Sequence, residues 1–266
     1  MRSIVHLSDL HFGALDPATL DPLIGFMRER APDLVVVTGD LTQRARPGEF
    51  AAARRFLERV PSALVIVPGN HDIPLLNPWR RFARPRLRLE RDFGPFASVF
   101  SDDEMHVVGL DTARSLTVAG GRVNRAQLHR AREAFARARP TAVRLVASHH
   151  PLVSLGEGGR RARVGRWRLV GDLVGDAAVD VALSGHVHRS QCGVVDLGGR
   201  GVVVVSAGTA TSQRRREGVN GFHVVTLHPD ALDVARIHFI GGRFAPSGDV
   251  HRFRRRGSSG WTPSFR

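Results

Sequence analysis

Short apolar runs rich in valine recur along the chain, each bounded by glycine, proline or a polar turn. In order they are SIVHL (3–7), DLVVVTG (33–39), ALVIVPG (63–69), MHVVGLD (105–111), AVRLVASH (142–149), VDVALSGH (179–186), GVVVVSAG (201–208), FHVVTL (222–227) and LDVARIHF (232–239). Their length and β-branched content predict strands rather than helices. Helical spacing of apolar positions appears between several of them. Asp16 caps a predicted helix from Pro17 to Arg30 that Pro22 shortens or bends; GEFAAARRFLERV (48–60) ends before Pro61; a third helix starts at the cap Asn124 and stops before Pro140.

Strand and helix alternate early, whereas the late strands are separated only by turns. That order predicts an α/β fold, a four-layer α/β/β/α sandwich of two mixed sheets flanked by helices. A chain of 266 residues can bury a sizeable core, and one layered domain is expected over residues 1–240. The end, GGRFAPSGDVHRFRRRGSSGWTPSFR, is rich in Gly, Ser, Pro and Arg and lacks strand periodicity, so residues 241–266 are expected to form a basic, flexible tail.

The formal charge is +14, and with no lysine present all 39 basic residues are arginine, a one-sided usage that looks like genome-level bias. The arginines nonetheless cluster, in WRRFARPRLRLER (79–91), GRRARVGRWR (159–168), RRR (214–216) and the tail. A field of this sign concentrates phosphate-bearing small molecules, nucleic acid or anionic lipid, although any one cluster is equally well a solvated face. The lone Cys192 excludes an internal disulfide, and no secretory leader or bilayer-length apolar run is visible, so a soluble cytoplasmic protein is expected.

Unusual residues gather just after the strands. Asp9 and His11 follow the first; Asp40 the second; Asn70, His71 and Asp72 the third; His149 and His150 a later one; His186 and His188 the next. In layered α/β folds ligands bind beyond the carboxyl ends of strands, so side chains spread over about 180 positions can meet at one rim. Any one of these motifs alone reads as a turn or cap; five coincidences point to a metal centre. Carboxylate and imidazole without thiolate suit two divalent ions of the Mn, Fe, Zn or Mg kind. Alternation along an extended chain sends Asp9 and His11, and likewise His186 and His188, to the same side. Glycine before Asp40, Asn70 and His186 is read as permitting a sharp turn. Asp40 is the bridging candidate, because one carboxylate can give an oxygen to each of two ions. His150, Asp72 and Asp111 are expected to contact the ligands from behind, while Cys192 is read as packing.

The motifs DxH (Asp9, His11), GD (Asp40), GNHD (Asn70 to Asp72), HHP (His149 to Pro151) and GHxH (His186, His188) resemble, in order, those of the calcineurin-like metallophosphoesterase superfamily. The wording SDLHFG, GDLTQ and GNHD is most similar to bacterial class III cyclic-nucleotide phosphodiesterases. The resemblance implies that Asp9, His11, Asp40 and His188 hold one ion, and that Asp40, Asn70, His149 and His186 hold the other. It implies that His71 approaches the scissile phosphate as proton donor or charge stabiliser. Thr42 stands where some relatives place an acidic partner for that histidine. The implied activity is phosphodiester hydrolysis, with a 3',5'-cyclic nucleotide as substrate, by water activated between the ions. Lipid-linked or nucleic acid substrates, and a catalytically weak scaffold, are the alternatives; the full ligand set argues against the scaffold. The Arg-rich stretch after GNHD is read as a substrate-contacting cap, a patch for anionic lipid, or a helix whose stems lie on the core. The sequence leaves nucleic acid binding and a homodimer open.

Overall fold

All nine apolar runs form strands, and most are buried on both faces, which is why they read as continuous rather than alternating. The structure, a computed structural model, describes residues 1–75, 77–94, 99–117, 120–153, 155, 164, 165 and 167–264. In one sheet β1 (Arg2–Leu7), β2 (Leu34–Thr38) and β3 (Ala63–Val67) run parallel, and β10 (Gly221–Leu227), β11 (Ala231–Ile240), β12 (Arg243–Arg255) and β13 (Trp261–Pro263) extend it antiparallel beyond β1. In the other, β5 (Met105–Leu110), β6 (Val143–Ser148), β7 (Val181–Ser184) and β9 (Gly201–Ser206) are parallel. Antiparallel edges are supplied there by β4 (Val99–Ser101) and β8 (Gln191–Asp196).

Alternate residues of the two sheets meet in one apolar layer, Ile4, Val36 and Val67 from the first against Val107, Leu145, Leu183 and Val205 from the second. The outer face of the first sheet packs on α1 (Leu20–Arg30) and α2 (Pro47–Leu57), through Leu23, Met27 and Phe56. The second is covered by α5 (Arg125–Ala136) and α6 (Trp167–Asp176), through Leu128, Phe135 and Leu173. This is the expected four-layer sandwich. Pro22 does not bend its helix: a 3-10 turn over Pro17–Thr19 comes first, so Pro22 falls in the first turn of α1, where no backbone donor is needed. The Arg-rich stretch after GNHD folds into two short helices, α3 (Pro78–Ala83) and α4 (Leu87–Phe93). Most of the second arginine cluster, 159–168, lies outside the described residues. Among the described residues no helix is long and apolar enough to cross a membrane.

The flexible-tail expectation for residues 241–266 is corrected. β12 pairs with β11, Leu232 opposite Phe253, and the ladder slips between Ala235 and Ile237 beside the Pro246–Gly248 stretch. That irregularity, with only Phe244 and Phe253 buried on a largely exposed strand, hides the period-2 signal. Beyond it Trp261 is fully buried in the layer between the sheets, its Nε1–H donates to Asp180 Oδ1 at 2.9 Å, and the Arg255 guanidinium lies 4.8 Å from its ring centre. Trp261→Ala is therefore expected to cost about 3–5 kcal/mol in urea unfolding, whereas an undocked tail would leave the midpoint unchanged.

Candidate metal centre

Because β1, β2 and β3 are parallel within one sheet, and β6 and β7 within the other, their carboxyl ends deliver side chains to a common rim. Asp9, His11, Asp40, His186 and His188 all have left-handed backbones, with φ of 52°, 51°, 51°, 70° and 54°. The extended alternation expected for Asp9–His11 and His186–His188 is thus corrected: the chain turns back immediately after each strand, and the turn aims the side chains. Left-handed geometry costs roughly 1–2 kcal/mol per non-glycine residue. Here it is held by Asp9 N–H to Gly39 O (3.1 Å), His11 N–H to Asp40 O (2.9 Å) and Thr209 Oγ–H to Asp9 O (2.8 Å).

The glycines act in two ways. Gly39 has φ +85° and so makes the turn expected of it. Gly69 and Gly185 are needed for space: a Cβ on Gly69 would land on Asp40 Oδ1, and one on Gly185 would land on Ser8 Oγ.

The donors fall into two groups that share one atom. In the first, Asp9 Oδ1 lies 3.0 Å from His188 Nε2, and His11 Nε2 lies 3.3 Å from His188 Nε2 and 3.7 Å from Asp40 Oδ2. In the second, Asn70 Oδ1 lies 3.0 Å from His149 Nε2 and 3.1 Å from His186 Nδ1, and His149 Nε2 lies 3.5 Å from Asp40 Oδ2. Asp40 Oδ2 faces both groups, while Asp40 Oδ1 is occupied by the His71 N–H at 2.8 Å.

Hydrogen bonds elsewhere on the rings fix which nitrogens are free to ligate. His149 Nδ1–H donates to Thr38 O (2.8 Å) and His188 Nδ1–H to Arg214 O (3.1 Å), so both Nε2 lone pairs point inward. Asp9 Oδ2 accepts from Ser8 Oγ–H (2.6 Å) and His186 N–H (3.1 Å), whereas its buried Oδ1 accepts no well-directed hydrogen bond. Lone pairs converging on one another at 3.0–3.7 Å around buried carboxylates are the donor set of a cation site. The residues fit two divalent ions.

Electrostatics without cations shows the same strain. Burial pushes His11 and His186 down to about 3 and lowers His149. Burial also opposes ionisation of Asp9, but the neighbouring His188, His149 and His11 hold its carboxyl well below the usual range. His188 is raised, because the Asp9 carboxylate outweighs its burial. Burial, then Asp9 and Asp72, push Asp40 far above the ordinary carboxylate range. A pair of dications in this pocket would allow both carboxylates to be ionised together.

The remaining expected residues divide. His71 reaches the rim, with Nδ1–H donating to Gln43 O (2.8 Å) and Nε2 lying 3.3 Å from Arg214 Nη1. A backbone carbonyl therefore fixes its tautomer, the role that neither Thr42 nor Asp72 takes. Asp72 instead staples the loops after β2 and β3, accepting from Leu41 N–H, Thr42 N–H, Thr42 Oγ–H and Gly69 N–H. His150 packs its ring against those of His149 and His186, with centroids 4.9 and 4.4 Å apart, and its Nδ1 lies 2.9 Å from Thr112 Oγ1. Asp111 does not contact the ligands; it pairs with Arg86 and caps Ala113 N–H. The strand-end rule that selected Asp111 stopped one residue short of Thr112. Arg214 carries no motif and was visible only as part of a basic cluster, yet its backbone is tied down by Ser212 Oγ (3.0 Å) and His188. Cys192 packs against the layer between the sheets, and burial raises its thiol to about 11.

The chain is 24% identical over 261 residues to a protein of Synechococcus sp. named a probable cyclic nucleotide phosphodiesterase, covering 90% of this chain and 92% of that one. It is 26% identical over 268 residues to the cAMP/cGMP dual specificity phosphodiesterase of Mycobacterium tuberculosis, covering 90% and 80%. A dimetal phosphatase from Danio rerio has the same fold, with a TM-score of 0.70 over 92% of this chain and 98% of that one at 13% identity. The sequence profile described as Calcineurin-like phosphoesterase matches residues 2–190. That span runs from β1 through the turn carrying His186 and His188, and the chain belongs to the calcineurin-like phosphoesterases, hydrolases of phosphoesters that work with a pair of metal ions.

Proposed function

We propose that the protein is a phosphodiesterase whose substrate is a 3',5'-cyclic nucleotide, with Asp9, His11, Asp40 and His188 holding one divalent ion and Asp40, Asn70, His149 and His186 the other. The observation that carries the metal assignment is Asp40 Oδ2, facing His11 Nε2 at 3.7 Å and His149 Nε2 at 3.5 Å. The substrate assignment is supported by the names of the Synechococcus and Mycobacterium relatives.

Divalent ions seated in this pocket supply Lewis-acid charge to the phosphoryl oxygens and acidify bound water towards neutral pH. The chain's own residues do the rest. Ser8 and the His186 amide keep Asp9 turned so that Oδ1 faces inward. Gln43 holds the His71 ring with Nε2 on the substrate side, and Arg214 donates to that nitrogen. A phosphoryl oxygen entering the rim takes over the Arg214 guanidinium, which balances charge developing in the transition state. His71 Nε2 is then left facing the departing alkoxide; Nδ1 keeps its proton on Gln43 O, so Nε2 gives that oxygen a proton only after taking one up from solvent, a step that burial disfavours until Arg214 has turned to the phosphoryl group. No covalent enzyme intermediate is required.

The test is a hydrolysis panel on metal-stripped protein reloaded with Mn²⁺, comparing 3',5'-cyclic AMP, bis-p-nitrophenyl phosphate, a glycerophosphodiester and a phospholipid pyrophosphate. Metal-dependent turnover strongest on the cyclic nucleotide is expected. Asn70→Ala should lose at least about 100-fold in kcat/KM and Arg214→Gln about 10- to 100-fold, with His150→Ala losing less than about tenfold. Diester turnover that spares cyclic AMP would overturn the substrate assignment, and equal losses in folded Asn70→Ala and His150→Ala would overturn the ligand assignment.

A further inference from the structure

The six arginines at positions 80, 81, 84, 86, 88 and 91 are not used alike. Arg81 is buried and donates to Pro74 O (3.2 Å) and Thr117 O (2.8 Å), tying α3 to a distant loop. Arg86 pairs with Asp111 and donates to Ala113 O at 2.8 Å. Arg91 engages both oxygens of Asp92, at 2.7 and 3.1 Å. Among the described residues, the guanidinium groups of Arg80, Arg84 and Arg88 make no hydrogen bond and no ion pair.

These three, with Arg91, line one cavity. It has a volume of about 210 Å³ and lies between α3, α4 and the loop that follows β3, with Phe50 and Asp72 also on its wall. The helical spacing explains the convergence: positions 80 and 84 share one side of α3 and its end, and 88 and 91 share one side of α4, while Leu89 and Phe93 on the other side of α4 pack on Phe50. The wall holds no free acid. Both oxygens of Asp72 are taken by Gly69, Leu41 and Thr42 donors, and Asp92 is taken by Arg91. Arg80 and Arg91 are close enough to Arg88 to repel it, adding to its partial burial and only partly offset by Asp92.

Holding like charges around one cavity raises the free energy of the ligand-free chain, and an anion with several charged oxygens reverses the sign of that interaction. A carboxylate matches the fork of a single arginine; a tetrahedral phosphate presents oxygens to several at once. We propose that this arginine-lined cavity binds a phosphate group, separately from the dinuclear centre. Trp79 and Phe82, 80% and 60% exposed, lie on the same short helix as Arg80, so the phosphate is either a free or oligophosphate anion or the headgroup of a lipid whose apolar body meets those rings. The proposal does not rest on the cyclic-nucleotide reading.

Thermal unfolding of the full chain, with metals removed so that phosphate cannot bind at the dinuclear centre, reads this directly. Inorganic phosphate or pyrophosphate, at ionic strength matched with NaCl, is expected to raise Tm by about 3–5 °C at ten times Kd. The same shift is expected in Arg214→Gln, which alters only the catalytic rim. The double variant Arg84→Gln/Arg88→Gln should lose it while unfolding, without phosphate, at no lower a temperature than the wild type, because both groups are unpaired. No shift in the wild type, or a full shift in the double variant, would overturn the proposal. Co-sedimentation with phosphatidylglycerol vesicles but not phosphatidylcholine vesicles, lost in the double variant, identifies the lipid headgroup as the source. A phosphate shift without vesicle binding identifies the soluble anion.

Discussion

The centre depends on one buried carboxylate. Asp40 is almost inaccessible, and its two oxygens do different work: Oδ1 accepts the His71 amide and so anchors the loop after β3, and Oδ2 faces two separate groups of donors. A charge in that position is strongly unfavourable by itself, with Asp9 and Asp72 nearby, and cations on both sides would reverse that balance. The surrounding hydrogen bonds are consistent with that role. Thr38 O and Arg214 O each orient an imidazole from behind, Ser8 turns Asp9, and Asp72 uses its whole acceptor capacity to join the two loops that flank Asp40.

The same constraint explains the backbone. Five donor residues adopt left-handed φ, and Gly69 and Gly185 pass so close to Asp40 and Ser8 that no side chain would fit. Such strain persists only where surrounding structure over-determines it. Here the two packed sheets do so, since the strained residues sit at the ends of β1, β2 and β7, whose interiors are buried on both faces.

Much of this was legible in the sequence, for particular reasons. Valine-rich runs announce buried strands, and the residues that break the apolar pattern at their ends, Asp9 through His188, are the ones the fold brings together. What was hidden depended on tertiary context. Left-handed φ at Asp9 and His11 leaves no trace in a polar turn, so extended alternation gave the right convergence by the wrong geometry. Asp111 and Thr112 both end β5, and only packing shows that Thr112 faces His150. Arg214 lies far along the chain in a run of arginines, and nothing local separates it from Arg215 and Arg216. β12 escaped notice because a register slip and an exposed face leave it almost no periodicity, although Trp261, beyond it, is fully buried.

The most direct test of the shared carboxylate is electron paramagnetic resonance of the metal-stripped protein as Mn²⁺ is added. Two ions bridged by Asp40 would lie about 3.5–4 Å apart. The account predicts two ions per chain and replacement of the six-line signal of isolated Mn²⁺ by an exchange-coupled spectrum, with coupling lost in Asp40→Ala. One ion per chain, or two that remain magnetically isolated in the wild type, would contradict it.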